Sequence, residues 1–328
     1  MAGSFRIASF NLENLDDRPG EAPALAERIA VLRPQIERAA ADVLCLQEVN
    51  GQRRGGKGPR TLAALDALLA GTDYAGFARV AMTGPGGGVA DVHNLVILSR
   101  FPVVSWRQVR NELVPAPHVA AIAARPDGAR EAALGWDRPL LAAELALPDG
   151  TPLHVLDLHL RAPLAAFVPG HKLDAYRWAD VPAWAEGFAN AAIRRIGQAL
   201  EARLVVDAIF DREPGALVAV CGDFNAGPLE MPTRLLRAAP DDTGNAALAA
   251  RALVPVEADV PEERRYTVIH AGAHVLLDHI LASPTLAARL RGVEIHNERL
   301  GDEAVAFARA AVTPQSFHAP VVAEFALG

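Results

Sequence analysis

Six times along this chain, a short apolar run carries or closes on an acid, an amide or a histidine. Side chains two apart share a face of a strand. In the run from Asp42 to Val49, Leu44, Leu46 and Glu48 are therefore expected on one side, with the acid at the strand's C-terminal end. From Val218 to Asn225 the pattern repeats, with Asp223 and Asn225 pointing the same way and Gly222 allowing a close approach to the backbone. From Leu156 to Arg161, three leucines alternate with Asp157, His159 and Arg161, which reads as one core face and one polar face. Asp278 and His279 sit inside the apolar run from Leu276 to Leu281. Asn11 closes the first run, and Ser316-Phe317-His318 precedes the last. Any one such acid reads as a helix cap or a turn, and any one histidine as a satisfied structural group. Six at strand ends read differently, because a buried carboxylate is costly unless paired or bound to a cation. Convergence on one site with oxygen ligands for a hard divalent cation is the economical arrangement.

The spacing predicts strands over Phe5 to Leu12, Val43 to Val49, Leu95 to Leu98, Leu140 to Leu147, Pro152 to His159, Ala216 to Gly222, His274 to Leu281 and Pro320 to Phe325. Helical periodicity covers Ala22 to Ala40, Thr61 to Ala70, Ala185 to Phe210 and Met231 to Ala238, with Pro34 a point where the first could kink or split. Strands alternating with helices give an α/β protein. No repeat and no Ser/Pro-rich linker divides the chain, so residues 1–328 read as a single domain. That length buries a large core without staples. Loops are expected over Asn50 to Pro59, which carries Arg53, Arg54 and Lys57, over Met82 to Val92, and over Ala162 to Pro182, which carries several aromatics. No uninterrupted apolar stretch of about 18 residues occurs, so no membrane span is expected. The net charge of −7 argues against bulk, non-specific nucleic-acid binding and leaves local basic patches open. Cys45 and Cys221 read as reduced, buried thiols. The N-terminus lacks a basic segment leading into an apolar one, so a cytoplasmic location is the expectation. The oligomeric state is left open.

Phe10-Asn11-Leu12, Leu46-Gln47-Glu48-Val49, Ile97-Leu98-Ser99-Arg100-Phe101-Pro102, His159-Leu160, Gly222-Asp223-Phe224-Asn225, Tyr266-Thr267, Leu277-Asp278-His279-Ile280-Leu281 and Ser316-Phe317-His318-Ala319-Pro320 follow one another over nearly the whole chain. Each is weak alone. In this order they resemble the endonuclease/exonuclease/phosphatase superfamily, the DNase I-like hydrolases. The resemblance implies a four-layer α/β/β/α sandwich of two mixed β-sheets flanked by helices, with the site at one edge. It implies a divalent-metal-dependent phosphoesterase using Mg²⁺ or Mn²⁺, with Glu48 as the metal carboxylate and Asn11 at the metal or its water shell. Asp223 would orient or deprotonate the attacking water, and Asn225 would donate to a phosphate oxygen. His318 would be the catalytic imidazole, oriented by Asp278, and His159 a second imidazole donating to the phosphate. The residue types suit the chemistry, since phosphoester hydrolysis develops charge on oxygens that a cation, imidazolium and amide can stabilise.

Two positions depart from the pattern. Phe317 stands where the family usually carries Asp, which points to one tightly held metal rather than two. Asp157 stands where an amide or small polar residue is usual; it could support a metal, hold His159, or be a buried structural acid. The substrate is expected to be a phosphodiester, with nucleic acid, a small phosphoester and a lipid headgroup all open. Arg53, Arg54 and Arg161 are the expected substrate-binding cations. The alternative reading is a non-catalytic binding protein that keeps the fold, with Phe317 as its support.

Overall fold

The computed structural model describes residues 3–18, 20, 22–53, 58–84, 86–123, 131–174, 177–308 and 313–328. The first third forms β1 (Ser4–Leu15), β2 (Val43–Val49), β3 (Ala78–Ala81) and β4 (Asn94–Ser99). Next come β5 (Val103–Val109), β6 (His118–Ala120), β7 (Glu131–Ala133), β8 (Leu140–Ala146) and β9 (Pro152–His159). The remainder adds β10 (Leu217–Asp223), β11 (Val254–Pro255), β12 (Val268–His270), β13 (Ala273–Val275), β14 (Asp278–Ala282), β15 (Leu290–Ile295) and β16 (Val321–Ala326). The larger helices are α1 (Leu25–Ala39), α2 (Ala63–Leu69), α3 (Val181–Arg212) and α4 (Met231–Arg237).

Two six-stranded mixed sheets result, in the orders β15-β16-β1-β2-β4-β3 and β11-β14-β10-β9-β8-β5. Each has a parallel pair near its centre, β1 with β2 and β9 with β10, flanked by antiparallel neighbours. The sheets pack face to face through Phe5, Ile7, Cys45, Ile97, Val155, Ala219, Ile280 and Phe325. The outer face of the first sheet, with Phe10, Leu44 and Leu46, packs on Leu32 and Ile36 of α1 and on α2. The outer face of the second, with Leu156, Leu158, Val218 and Val220, packs on Ala202, Val206 and Ile209 of α3. The layers are thus α/β/β/α. Cys45 and Cys221 are free and buried in the inter-sheet core. Hydrogen bonding to Cys221 and burial raise the Cys45 thiol well above its ordinary pKa.

Several elements differ from the sequence reading. Pro34 does not split α1, which the buried Leu32 and Ile36 hold against the sheet. Helix α3 starts at Val181, inside the stretch read as a loop, because Asp180 caps it by accepting from the Ala183 N–H at 2.9 Å. The run read as one strand over His274 to Leu281 is broken between β13 and β14. Strands β3, β5 and β15 have no counterpart in the reading. Among the described residues, no helix is long and apolar enough to cross a membrane.

Candidate active site

Strand alternation delivers most of the polar ends to one place. In β10, Ala219, Cys221 and Asp223 share the inter-sheet face, so Asp223 caps that core. Register sets it opposite His159 of β9 on one side and Asp278 of β14 on the other. Gly222 has φ +140°, and a Cβ there would stand 1.9 Å from the Leu158 carbonyl oxygen, so only glycine fits. On the facing sheet, Asn11 ends the inner face of β1. Glu48 arrives by another route. Alternation puts it with Leu44 and Leu46, toward the helices, but β2 shifts register between Leu46 and Val49 and Glu48 adopts φ 58°. This irregularity turns the carboxylate into the site.

Asn11 Nδ2 donates to Glu48 Oε1 at 3.2 Å and to Asp223 Oδ2 at 3.0 Å, bridging the two sheets. His159 Nε2 lies 3.6 Å from Glu48 Oε1 and 3.5 Å from Asp223 Oδ2. One ligand atom each from Glu48, His159 and Asp223 lies within 4.8 Å of the others, and the same holds for Asp223, Asp278 and His318. Asp223 belongs to both groups. His318 Nδ1 is 2.8 Å from Asp278 Oδ2. Thr267 Oγ accepts from the Asp278 N–H, and Ser316 Oγ donates to the Asn11 carbonyl while accepting from the His318 N–H. Asn225 donates from its backbone to Asp223 Oδ1 at 2.8 Å, and from Nδ2 to Asp223 Oδ2 and the Leu160 carbonyl, both at 3.1 Å.

Burial, reinforced by the Asp278 charge, raises the Asp223 carboxyl to about 7 against the pull of His318. Burial opposes the charge on His318, but Asp278 and Asp223 prevail and hold its pKa well above the ordinary value. His159 goes the other way: burial, then the charges of Arg138, His93 and His318, keep it neutral. Two carboxylates from opposite sheets converge with an amide and a neutral imidazole between them, and burial makes one of them ionise reluctantly. That donor set fits a hard dication, which would ionise both.

The other expected site residues are placed differently. Asp157 lies in the inter-sheet core below the site and accepts from Gln47 Nε2 at 2.7 Å. Burial raises its pKa well above the ordinary range, so it is a protonated, hydrogen-bonded interior acid. The polar face read for β9 is thus inter-sheet interior, not surface. Arg161 lies at the rim, with Nη1 3.3 Å from Asp137 and its N–H donating to Gln198 Oε1. Arg53 is exposed and makes no hydrogen bond or ion pair to the site among the described residues. Arg54 and Lys57 lie outside the described residues.

The structure also brings in residues that the sequence reading did not assign. His93 Nε2 is 2.9 Å from Asn14 Oδ1 and 3.9 Å from Glu48 Oε2, and its ring centroid is 5.9 Å from that of His159. The Asn14 N–H donates to Glu48 Oε2 at 3.1 Å. Glu13, its pKa raised by burial, accepts from the Phe317 N–H at 2.7 Å, so a carboxylate lies against the very segment where Phe317 replaces the usual acid. Glu13, Asn14, Glu48, His93 and Asn225 all have left-handed backbone, a clustering of strain typical of functional sites.

A four-layer sandwich whose sheet edges gather carboxylates, amides and imidazoles defines a metal-assisted hydrolase of the DNase I-like class. Residues 8–301 match the model of the endonuclease/exonuclease/phosphatase family. The chain belongs to that family, and is a metal-dependent enzyme acting on phosphoester bonds. No curated protein sequence matches it. Similar solved structures include truncated Caenorhabditis elegans TDP2, at TM-score 0.57 and 17% identity, covering 99% of this chain and 98% of that one. The Bacteroides thetaiotaomicron mannosyl-6-phosphatase aligns at TM-score 0.56 and 15% identity, over 98% of this chain and 100% of its own. A 3′ phosphatase from Neisseria, bound to a product DNA hairpin, aligns at TM-score 0.54 and 19% identity, with 98% and 100% covered. At these identities the structural likeness supports the fold alone.

Proposed function

We propose that this chain hydrolyses a phosphodiester with Mg²⁺, or Mn²⁺ in its place, held by Glu48 and Asp223 with Asn11 at the ion or its water shell. The observation that carries the reading is that Asp223 is shared: one side meets the Glu48 group, the other the Asp278–His318 pair. The ion, when bound, supplies positive charge for a phosphate oxygen and acidifies water. Asp223 orients the attacking water and takes its proton. As the water oxygen bonds to phosphorus and the ester P–O bond breaks, His318 gives the leaving oxygen a proton from Nε2, its charge sustained by Asp278 on Nδ1. Neutral His159 donates to a non-bridging oxygen, and Asn225 exchanges its Asp223 contact for another. Arg161 faces the substrate at the rim. Both sheets contribute to this one centre, so residues 1–328 act as one unit, and reduced interior thiols suit a cytoplasmic setting.

Bis-p-nitrophenyl phosphate with and without Mg²⁺ or Mn²⁺ tests the reading. The wild type should turn it over only with metal. Glu48→Gln should lower metal affinity and hydrolysis together while melting as a folded protein. A fully active Glu48→Gln, or a wild type inert with both ions on this and on DNA, RNA, nucleotide and lipid esters, would return the protein to a binding role.

A further inference from the structure

Behind the catalytic face lies a buried histidine that the proposed chemistry does not use. In β14, Ile280 and Ala282, in step with Asp278, face the other sheet, while His279 and Leu281 face the helices. His279 is fully buried, and both of its ring nitrogens have partners. Nδ1 lies 2.5 Å from Glu257 Oε1, and Nε2 lies 2.9 Å from the Ala226 carbonyl oxygen. A carbonyl oxygen can only accept, so Nε2 carries a proton. Burial opposes the charge on His279, but the Glu257 charge and the two hydrogen bonds prevail and raise its pKa. With both nitrogens protonated, the ring ties Glu257 on one side to Ala226 on the other.

Ala226 closes the turn that carries two of the reactive side chains. Asp223 ends β10, and Asn225 follows with φ 48°. Phe224, between them, belongs to the core beneath α3, with its ring centroid 4.9 Å from that of His279. Left-handed backbone at a residue other than glycine persists only where its surroundings fix it. Here they do so through two successive carbonyls. The Asn225 carbonyl accepts from Arg195 Nη1 of α3 at 2.5 Å, and the Ala226 carbonyl accepts from His279. Each cation has an acid behind it, Glu230 at 3.8 Å for Arg195 and Glu257 for His279. Glu230 also accepts from the Gly227 N–H at 2.9 Å. Two cations thus hold the carbonyls of the turn, while Asp223 Oδ1 holds its Asn225 N–H.

We propose that His279, backed by Glu257, is a positioning residue that fixes the Asp223–Ala226 turn from behind and so aims Asp223 and Asn225 at the phosphate. This rests on the roles given above to those two side chains. It accounts for an ionic pair in a layer otherwise built of Val220, Phe224, Leu236, Leu253 and Leu281. A buried pair that only filled space could give way to apolar residues of the same volume without loss. A pair that aims a reacting group could not, because a misplacement of about 1 Å can cost roughly a hundredfold in rate.

His279→Asn and His279→Gln separate the two halves of the clamp. The Asn amide stands where Nδ1 does and falls short of Ala226, whereas the longer Gln amide reaches the Ala226 carbonyl as Nε2 does. With bis-p-nitrophenyl phosphate at saturating Mg²⁺, His279→Asn should lower kcat roughly ten- to hundredfold and leave KM within about threefold. His279→Gln should recover much of that loss. In an Asn225→Ala background, His279→Asn should cost less than it does alone, since it acts through the same turn. A pair that merely supports the fold would melt earlier in both variants yet keep wild-type kcat below the melting temperature, and that result would overturn the proposal. Equal losses in the Asn and Gln variants, or fully multiplicative losses with Asn225→Ala, would do the same. Should His279→Asn fail to fold, the double variant with Glu257→Gln removes the buried charge along with its partner and takes its place. A wild type inert on every ester would refute the proposed function, and the ¹H–¹⁵N signal of the Asn225 side-chain amide then decides this inference. Identified by its loss in Asn225→Asp, it should be unchanged in His279→Gln and shifted or broadened in His279→Asn; no change in His279→Asn would overturn the positioning role.

Discussion

Asp278→Asn tests the heart of the site, because it removes one charge and little volume. Asp278 is fully buried, and His318 is 12% exposed at the side chain. At 2.8 Å and an effective dielectric of about 20, their attraction is about 6 kcal/mol before the cost of burying both groups. Desolvation offsets much of that, so a double-mutant cycle on stability should return a coupling of roughly 1–3 kcal/mol. The rate effect is larger in consequence. Without the carboxylate, the imidazole loses the charge that keeps it protonated and the partner that fixes its tautomer. Asp278→Asn and His318→Ala should each slow hydrolysis by roughly a hundredfold or more. The double variant should be little worse than the worse single, since the two act as a unit. The pH profile has a definite sign. Activity needs Asp223 ionised and His318 protonated; a bound dication favours ionised Asp223, so at saturating metal the acid limb lies below the metal-free Asp223 pKa of about 7, and the rate falls at high pH as His318 deprotonates. Asp278→Asn lowers the His318 pKa, so the alkaline fall should move to lower pH. The assay is bis-p-nitrophenyl phosphate turnover at saturating metal from mildly acid to strongly alkaline pH. Multiplicative losses, or an alkaline limb that stays in place, would refute the pairing.

Calorimetric titration of Mg²⁺ or Mn²⁺ should show one tight site, since Phe317 supplies no carboxylate; two sites of equal affinity would contradict this, and Phe317→Asp should strengthen a second at some packing cost. In chelated protein, the folded-state pKa of Asp223 is about 7 against an ordinary 3.8. Its contribution to stability is therefore present below the ordinary value and lost as pH rises toward 7, an effect on the order of 4 kcal/mol at most. Melting temperatures should fall across that window and recover when the dication is added; a metal response as large at pH 4 as at pH 8 would exclude this account. Asp157→Asn mimics the protonated acid, so activity should be near wild type and stability should change by less than about 1.5 kcal/mol. A hundredfold loss of rate would mean that Asp157 serves the chemistry after all.

What the sequence made legible was the inner face of the long strands. In β9 and β10 alternation holds to the last residue, and in β1 as far as Asn11, beyond which the register shifts, so Asn11, His159 and Asp223 can be read from their neighbours. Glu48 could be named but not aimed, because the irregularity in β2 reverses the direction that alternation implies. Strands β5 and β15 are largely exposed along their length and carry no apolar alternation, so periodicity had nothing to grip. The start of α3 was readable in principle, as Asp180-Val181-Pro182 is a cap followed by an early proline. The aromatic residues around it drew the reading toward a loop. His93 lies on a connecting segment and Asn14 in the irregular last stretch of β1, and their place in the site is set by tertiary contacts such as the His93–Asn14 hydrogen bond.

The convergence itself follows from topology. The parallel pairs β1–β2 and β9–β10 end at one edge of their sheets, while antiparallel β14 and β16 begin there. Hence acids at the ends of some strands meet Asp278 at the start of another and His318 just before the last. Packing the two sheets face to face then forces the acids together where water is scarce. Two of them show what burial alone does and does not decide. Asp157 and Asp223 are both fully buried on inner faces, two and zero residues from the ends of adjacent strands. Among the described residues, Asp157 has only Gln47 as its side-chain donor, and burial favours its protonated form. Asp223 has Asn11, Asn225, His159 and His318 around it and a second carboxylate facing it, so its proton is held near neutrality, where it can be displaced by a cation and returned to by a water. The difference between a structural acid and a reactive one here is two residues of strand length, enough to move the carboxyl from the core to its rim.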